Sequence, residues 1–154
     1  VDGSLPYVER LWVPASWWIV AVLLTGTLWL AFFAALPALV ANVLGLVALA
    51  LVAVGLLRFG ALRVAVTDSS LLAGRATLPL WAVGSVVALS ADQARALRGV
   101  ASDASAFLVV RPYVPRAVRV EVADPQDPTP YWYVATRHPE RLAAALEAAR
   151  VTGG

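Results

Sequence analysis

From Leu11 to Leu57 the chain carries no Asp, Glu, Lys, Arg or His, and any fold it adopts must accommodate that stretch. A helix needs about 20 apolar residues to cross the roughly 30 Å hydrocarbon core of a bilayer. As one helix, these 47 residues would run about 70 Å at 1.5 Å per residue, which is too long for one crossing. Pro37 sits near the middle, and a residue without a backbone N–H is best tolerated at a helix start. Asn42 just beyond it can cap or solvate a turn. The stretch therefore reads as a helical hairpin with spans at about Trp17 to Ala35 and Leu39 to Leu57.

The flanks support that reading. Trp12, Trp17 and Trp18 cluster where the chain enters the apolar run, as amphipathic rings do at headgroup level, and are taken as membrane-interface anchors. Trp29, Phe32 and Phe33 approach the other end. Thr25 and Thr27 can bond back to the preceding helical turn and need no transport role. A pore or carrier would want an ionisable group at depth, and the stretch has none. Gly26, Gly45 and Gly55 allow close helix contact, within the hairpin or with another protein. Arg10 on one side and Arg58 with Arg63 on the other flank an uncharged connection, so the positive-inside bias puts both chain ends in the cytoplasm of a plasma-membrane, multi-pass protein. Small residues near Ala34 and Ala35 raise a cleaved signal peptide. The run is longer than a usual signal core, its leader carries Asp2 and Glu9, and a second span follows, so a retained hairpin is expected.

Beyond Arg58 the chain changes character. Hydrophobic residues make up 60% of the 154 residues and charged ones 14%, against about 45–50% and 25% in an ordinary soluble domain. The excess is local, because Phe59 to Gly154 holds 10 Arg against 8 Asp plus Glu. The expected division is a lead-in over 1–15, the hairpin over 16–58 and a cytoplasmic domain over 59–154. All 12 basic residues are Arg, and the net charge of +2 makes no case for nucleic-acid binding. The absence of Cys excludes disulfides and thiolate chemistry.

From Ala61 the period falls to two. Leu62, Val64 and Val66 alternate with Arg63, Ala65 and Thr67 as a half-buried strand. Leu71 to Leu80, broken by Gly74-Arg75, predicts two short strands, with Pro79 at an edge or end. Val83 to Leu89 is another strand, and Ala91 to Val100 a short helix capped by Ser90 or Asp92. Phe107 to Val110, Val118 to Val122 and Tyr131 to Thr136 continue the strands, and Pro139 with Glu140 opens a terminal helix bearing Leu142, Ala145, Leu146 and Ala149. The fold class expected is a membrane α-helical hairpin of two transmembrane helices plus a small α+β domain. That domain reads as a pleckstrin-homology-like antiparallel β-barrel with a C-terminal helix.

Three segments carry a resemblance: Tyr7-Val8-Glu9-Arg10-Leu11-Trp12-Val13-Pro14, then Leu72 to Leu80, and above all Asp124-Pro125 through Asp127-Pro128-Thr129-Pro130-Tyr131-Trp132 with Thr136 to Pro139. They resemble an actinobacterial family of two-span membrane proteins whose domain is of unknown function. Two spans followed by such a sheet are also similar to bacterial membrane-anchored pleckstrin-homology-like proteins. The resemblance implies architecture and brings no reaction or ligand.

The candidate sites follow from residue types. His138, the only His, reads as the cap of the terminal helix, because a zinc site lacks further His or Cys ligands. Asp124 and Asp127 read as turn starters, since a calcium loop wants more oxygen ligands. No glycine-rich nucleotide pattern or nucleophile elbow occurs, so no enzyme, cofactor or metal is expected. The binding candidates are Asp124, Asp127, Pro128, Tyr131 and Trp132 for a protein partner, and Arg111, Arg116 and Arg119 for anionic lipid or an acidic partner. At least one of Tyr131, Trp132 and Tyr133 should lie on an accessible face beside the stiff loop. The expected function is a non-enzymatic accessory protein whose partner is another membrane protein or a second copy of the chain. The alternative is a lipid-sensing module at the inner leaflet.

Overall fold

The uncharged stretch forms two helices, α1 (Ala15–Ala35) and α2 (Ala38–Phe59). The break falls where proline forces it: Leu36 and Pro37 are extended, with ψ of 155° and 141°, because the pyrrolidine ring disfavours helical backbone at the residue before it. Thr25 and Thr27 donate to the carbonyls of Ala21 and Leu23 at 2.7 and 2.9 Å, so their hydroxyls are satisfied within the helix. The two helices meet where the Trp29 ring lies on Gly45; a methyl added at Gly45 would stand 2.5 Å from Trp29 Cδ2. Trp29 is thus a helix-packing residue as well as an aromatic near the helix end. Gly26 and Gly55 have nothing within 4 Å of an added methyl and play no part in this contact.

Most other apolar side chains of the hairpin point outward. Only Thr25 on α1 and Ala41 and Gly45 on α2 are buried. The core helix of a soluble protein is mostly buried, whereas the most apolar windows of these two are 6% and 11% buried. Both helices are long and apolar enough to cross a bilayer.

The computed structural model describes residues 7–152; the first six residues of the expected lead-in lie outside the described residues. Within this range the hairpin, 12–61, is one unit, and 7–11 with 62–152 form another. This second unit holds two four-stranded sheets. In the first, β1 (Tyr7–Arg10), β2 (Arg63–Val66), β3 (Ser70–Ala73) and β4 (Ala76–Pro79) are antiparallel neighbours in chain order. Gly74, at φ +67°, makes the turn between β3 and β4, a conformation that costs glycine little. The second sheet contains β5 (Val83–Leu89), β6 (Phe107–Val109), β7 (Ala117–Val122) and β8 (Tyr131–Ala135) in the order β5-β7-β8-β6.

Two expectations change. Tyr7–Arg10, expected as lead-in, is strand β1, paired with β2 from Tyr7↔Val66 to Arg10↔Arg63. The Leu11 N–H continues the ladder to Leu62 O at 3.0 Å, and the Leu11 side chain is fully buried. The folded unit therefore starts before the hairpin, which is inserted between its first two strands. The expected single closed barrel also does not form among the described residues. Pro79 ends β4 without a donor, and a 3₁₀ turn at Leu80–Ala82 carries the chain from one sheet to the other. At the far edge β6 runs parallel to β8, so the strands form two sheets and are not wholly antiparallel.

Between the sheets lie Val64, Val66, Leu71 and Leu78 with Val118, Val120, Trp132 and Val134. The terminal helix α4 (Pro139–Thr152) adds Leu142, Leu146 and Ala149, at the spacing the sequence predicts. Ahead of α4, the His138 carbonyl accepts the Leu142 N–H at 3.0 Å, so His138 stands at the cap position the sequence predicts, and Thr136 Oγ1 accepts the His138 N–H at 3.1 Å. Helix α3 (Ala91–Arg98) begins in a reciprocal Ser90–Gln93 capping box, which satisfies two orphan N–H groups at once.

Candidate functional site

The loop between β7 and β8 is ordered by its own carboxylates. Asp124 Oδ1 accepts the Gln126 N–H and Asp127 Oδ1 the Thr129 N–H, both at 2.9 Å. The Thr129 bonds hold the Asp127 carboxyl below its usual range, since a bond to the charged form favours it. Both acids therefore serve turns, and with Pro125, Pro128 and Pro130 they fix a stiff exposed loop.

The aromatics after the loop are not surface anchors. Tyr131, Trp132 and Tyr133 are 4%, 7% and 0% exposed, which overturns the expectation that one of them faces a partner. Trp132 packs toward the core with Phe107, ring centroids 4.4 Å apart. On the opposite face the Arg119 guanidinium lies 4.7 Å over the Tyr131 ring and that of Arg98, from α3, 5.9 Å from the Tyr133 ring. Both faces of β8 are covered, so alternation along the strand no longer separates inside from outside.

An accessible aromatic does stand beside the loop: Trp81, in the 3₁₀ turn, 73% exposed. Its neighbour Ala82 accepts the Ala123 N–H at 2.7 Å, which ties the turn to the residue that begins the loop. The available sequence signal was Pro79, which ends the strand pattern two residues before this Trp.

The three expected arginines separate. Arg116 donates to Arg137 O at 2.6 Å and lies 4.0 Å from Glu140. Arg119 pairs with Glu121 at 3.2 Å. Arg111, which donates to Val110 O at 2.9 Å, instead lines a groove of about 550 Å³ with Leu62, Arg75, Phe107 and Leu108. The structure thus joins Arg111 to Arg75 and not to Arg116 or Arg119.

Glu9 forms a fourth cluster. This nearly buried carboxylate accepts the Tyr7 hydroxyl at 2.7 Å, the Thr136 hydroxyl at 2.5 Å and the Arg137 N–H at 3.0 Å. Burial is the main reason that the Tyr7 hydroxyl pKa is pushed up to about 12, against a smaller opposing pull from its Thr136 bond. With three donors on two oxygens, Glu9 latches β1 to the segment ahead of α4.

Of the sequence-expected anchors, Trp12 and Trp17 are 52% and 40% exposed and Trp18 is half-buried. Trp17 stacks on Phe59 with ring centroids 6.2 Å apart, joining the start of α1 to the end of α2.

Fold and sites together define a protein with an apolar two-helix hairpin set into a small α+β unit. The chain belongs to the family described as Protein of unknown function (DUF3093), whose model matches residues 6–146. That match takes in β1, both helices and most of α4, and it is the family the sequence resembles. No curated protein and no solved structure matches the chain.

Proposed function

We propose that this is a non-enzymatic, two-span membrane protein that presents a cytoplasmic, pleckstrin-homology-like unit to a protein partner in the membrane. The membrane reading draws on two long apolar helices whose side chains are left outside the fold, where lipid would relieve their exposure. Same-side placement of the two ends draws on β1 and β2: strands that hydrogen-bond to each other cannot lie on opposite faces of a bilayer. With Arg10, Arg58 and Arg63 flanking an uncharged connection, the positive-inside bias makes that side the cytoplasm. A four-stranded meander, a second sheet and a terminal helix packed on both favour the pleckstrin-homology-like reading. Because the chain has no Cys, single-cysteine labelling in intact cells checks the topology. Ala38→Cys should react from outside and Ser69→Cys should not; the reverse pattern excludes this placement.

The observation that carries partner docking is Trp81, 73% exposed beside a loop whose shape its own Asp residues maintain. A rigid aromatic next to a preordered loop loses little freedom on binding, and such residues dominate protein interfaces. The test is co-purification of the full chain in mild detergent. A near-stoichiometric companion should be lost with Trp81→Ala or with Asp127 to Thr129 replaced by Gly-Ser-Gly, and kept with Arg95→Ala. Equal recovery with Trp81→Ala, or no companion of the native chain, rejects the docking role.

A further inference from the structure

The groove between the β3–β4 turn and β6 combines two properties that suit one class of ligand. Its walls are apolar: Leu62 forms part of the lining, and Phe107 and Leu108 are 37% and 39% exposed. Arg75 and Arg111 also line it, and no Asp or Glu does. Among the described residues Arg75, at the tip of the glycine turn, has no hydrogen-bond or ion-pair partner. Apolar walls with two guanidinium groups and no carboxylate in the lining favour an anion that carries a hydrocarbon portion, because a free anion gains nothing from Leu62, Phe107 and Leu108. Guanidinium forks in turn match phosphate oxygens.

The chain itself limits where the groove can be. Leu62 follows Phe59, the last residue of α2, by three residues, and three extended residues span at most about 11 Å. If α2 crosses the bilayer, as proposed above and on which this step rests, the lining at Leu62 cannot leave the neighbourhood of the headgroup layer. That layer adds roughly 5–8 Å on each side of the hydrocarbon core. We infer that the groove binds one anionic phospholipid of the adjoining leaflet, its phosphate held by Arg75 and Arg111 and its glycerol and upper acyl carbons along Leu62, Phe107 and Leu108.

The test is native mass spectrometry of the full chain in detergent, titrated with dioleoyl phosphatidylglycerol or dioleoyl phosphatidylcholine. One phosphatidylglycerol should be retained per chain, with at least about a fivefold preference over phosphatidylcholine, the worth of roughly one cation at an anionic surface. Arg75→Gln, an exposed turn substitution, should remove about that factor, and Arg75→Gln with Arg111→Gln should bring retention to the phosphatidylcholine level. Arg95→Gln, on an exposed helix face away from the groove lining, should change nothing. Unchanged retention in Arg75→Gln, an equal loss in Arg95→Gln, or displacement of the lipid by millimolar inorganic phosphate each overturns the assignment. Release of the chain from membranes by alkaline carbonate would instead remove the membrane reading beneath it, so the two failures are distinguishable.

Discussion

In α4, Leu142 and Leu146 are fully buried, whereas Leu23, Leu30 and Leu39 of the hairpin are 65%, 71% and 77% exposed. The residue type is the same and the spacing is helical in both. What differs is the pattern around them. In α4 apolar positions alternate with Glu140, Arg141, Glu147 and Arg150, so one stripe faces the sheets. In α1 and α2 the apolar residues go all round, leaving no stripe to prefer. A helix of the first kind is completed by the rest of its own fold, and one of the second kind by the core of a larger assembly or by a membrane. The sheet unit also encloses a charge, Glu9, by surrounding it with three donors, and the hairpin has no charge to enclose between Leu11 and Leu57.

The strongest way to break this contrast is to cut the chain at the boundary it implies. A fragment of residues 59–154 lacks β1 and the Glu9 latch, and we expect no cooperative melt from it by circular dichroism. Joining residue 11 to residue 62 through a short Gly/Asn turn removes the hairpin but keeps both strands, and should give a soluble, cooperatively folding unit. A normal melt from the 59–154 fragment would show β1 to be dispensable. Next in size is Leu146→Asp, which buries an unpaired charge or undocks α4 and should cost the joined unit several kcal/mol, about 3–5, read from denaturant midpoints. Its counterpart in the hairpin, Gly45→Ala, should cost less, about 1–3 kcal/mol, because the Trp29 ring root must move. Trp29→Ala should absorb most of that effect in a double-mutant cycle measured in detergent, and strict additivity would mean that the two do not touch. The smallest effect concerns pH. Folding raises the Tyr7 pKa to about 12 from a usual value near 10, so the folded state holds the proton more tightly. Its contribution is complete below pH of about 10 and is lost as pH rises toward about 12. Tyr7→Phe should flatten that part of the stability curve.

Much of this architecture is legible along the chain because it is local. The proline break between α1 and α2, the Gly74 turn and the capping box at Ser90 depend on near neighbours, and each lies where its residues predict. The rest depends on partners distant in sequence. Tyr7–Arg10 is four residues long and ends in two charges against an apolar run, so nothing local distinguishes it from a tail; its strand character comes from β2, from which 52 residues separate it. Tyr131-Trp132-Tyr133 reads as half-buried because a strand's own alternation cannot report that Arg98 and Arg119 cover its second face. The grouping of Arg75 with Arg111 likewise crosses from one sheet to the other. Sequence proximity instead suggested Arg116 and Arg119, which are held by Arg137 and Glu121.

The placement of the hairpin between β1 and β2 bears on how the protein is made. Tyr7–Arg10 is made before both helices and cannot pair with β2 until Arg63–Val66 has followed. A newly made chain in which only one helix crosses would strand β1 on the far side, leaving β2 at an open edge and Thr136 and Arg137 without Glu9. Such a chain presents an unpaired edge and an unfinished core to the proteases that survey the membrane surface. If the hairpin crosses a bilayer as proposed, completion of the first sheet would act as a proofreading step for insertion, with survival of the folded unit reporting that the hairpin went in whole.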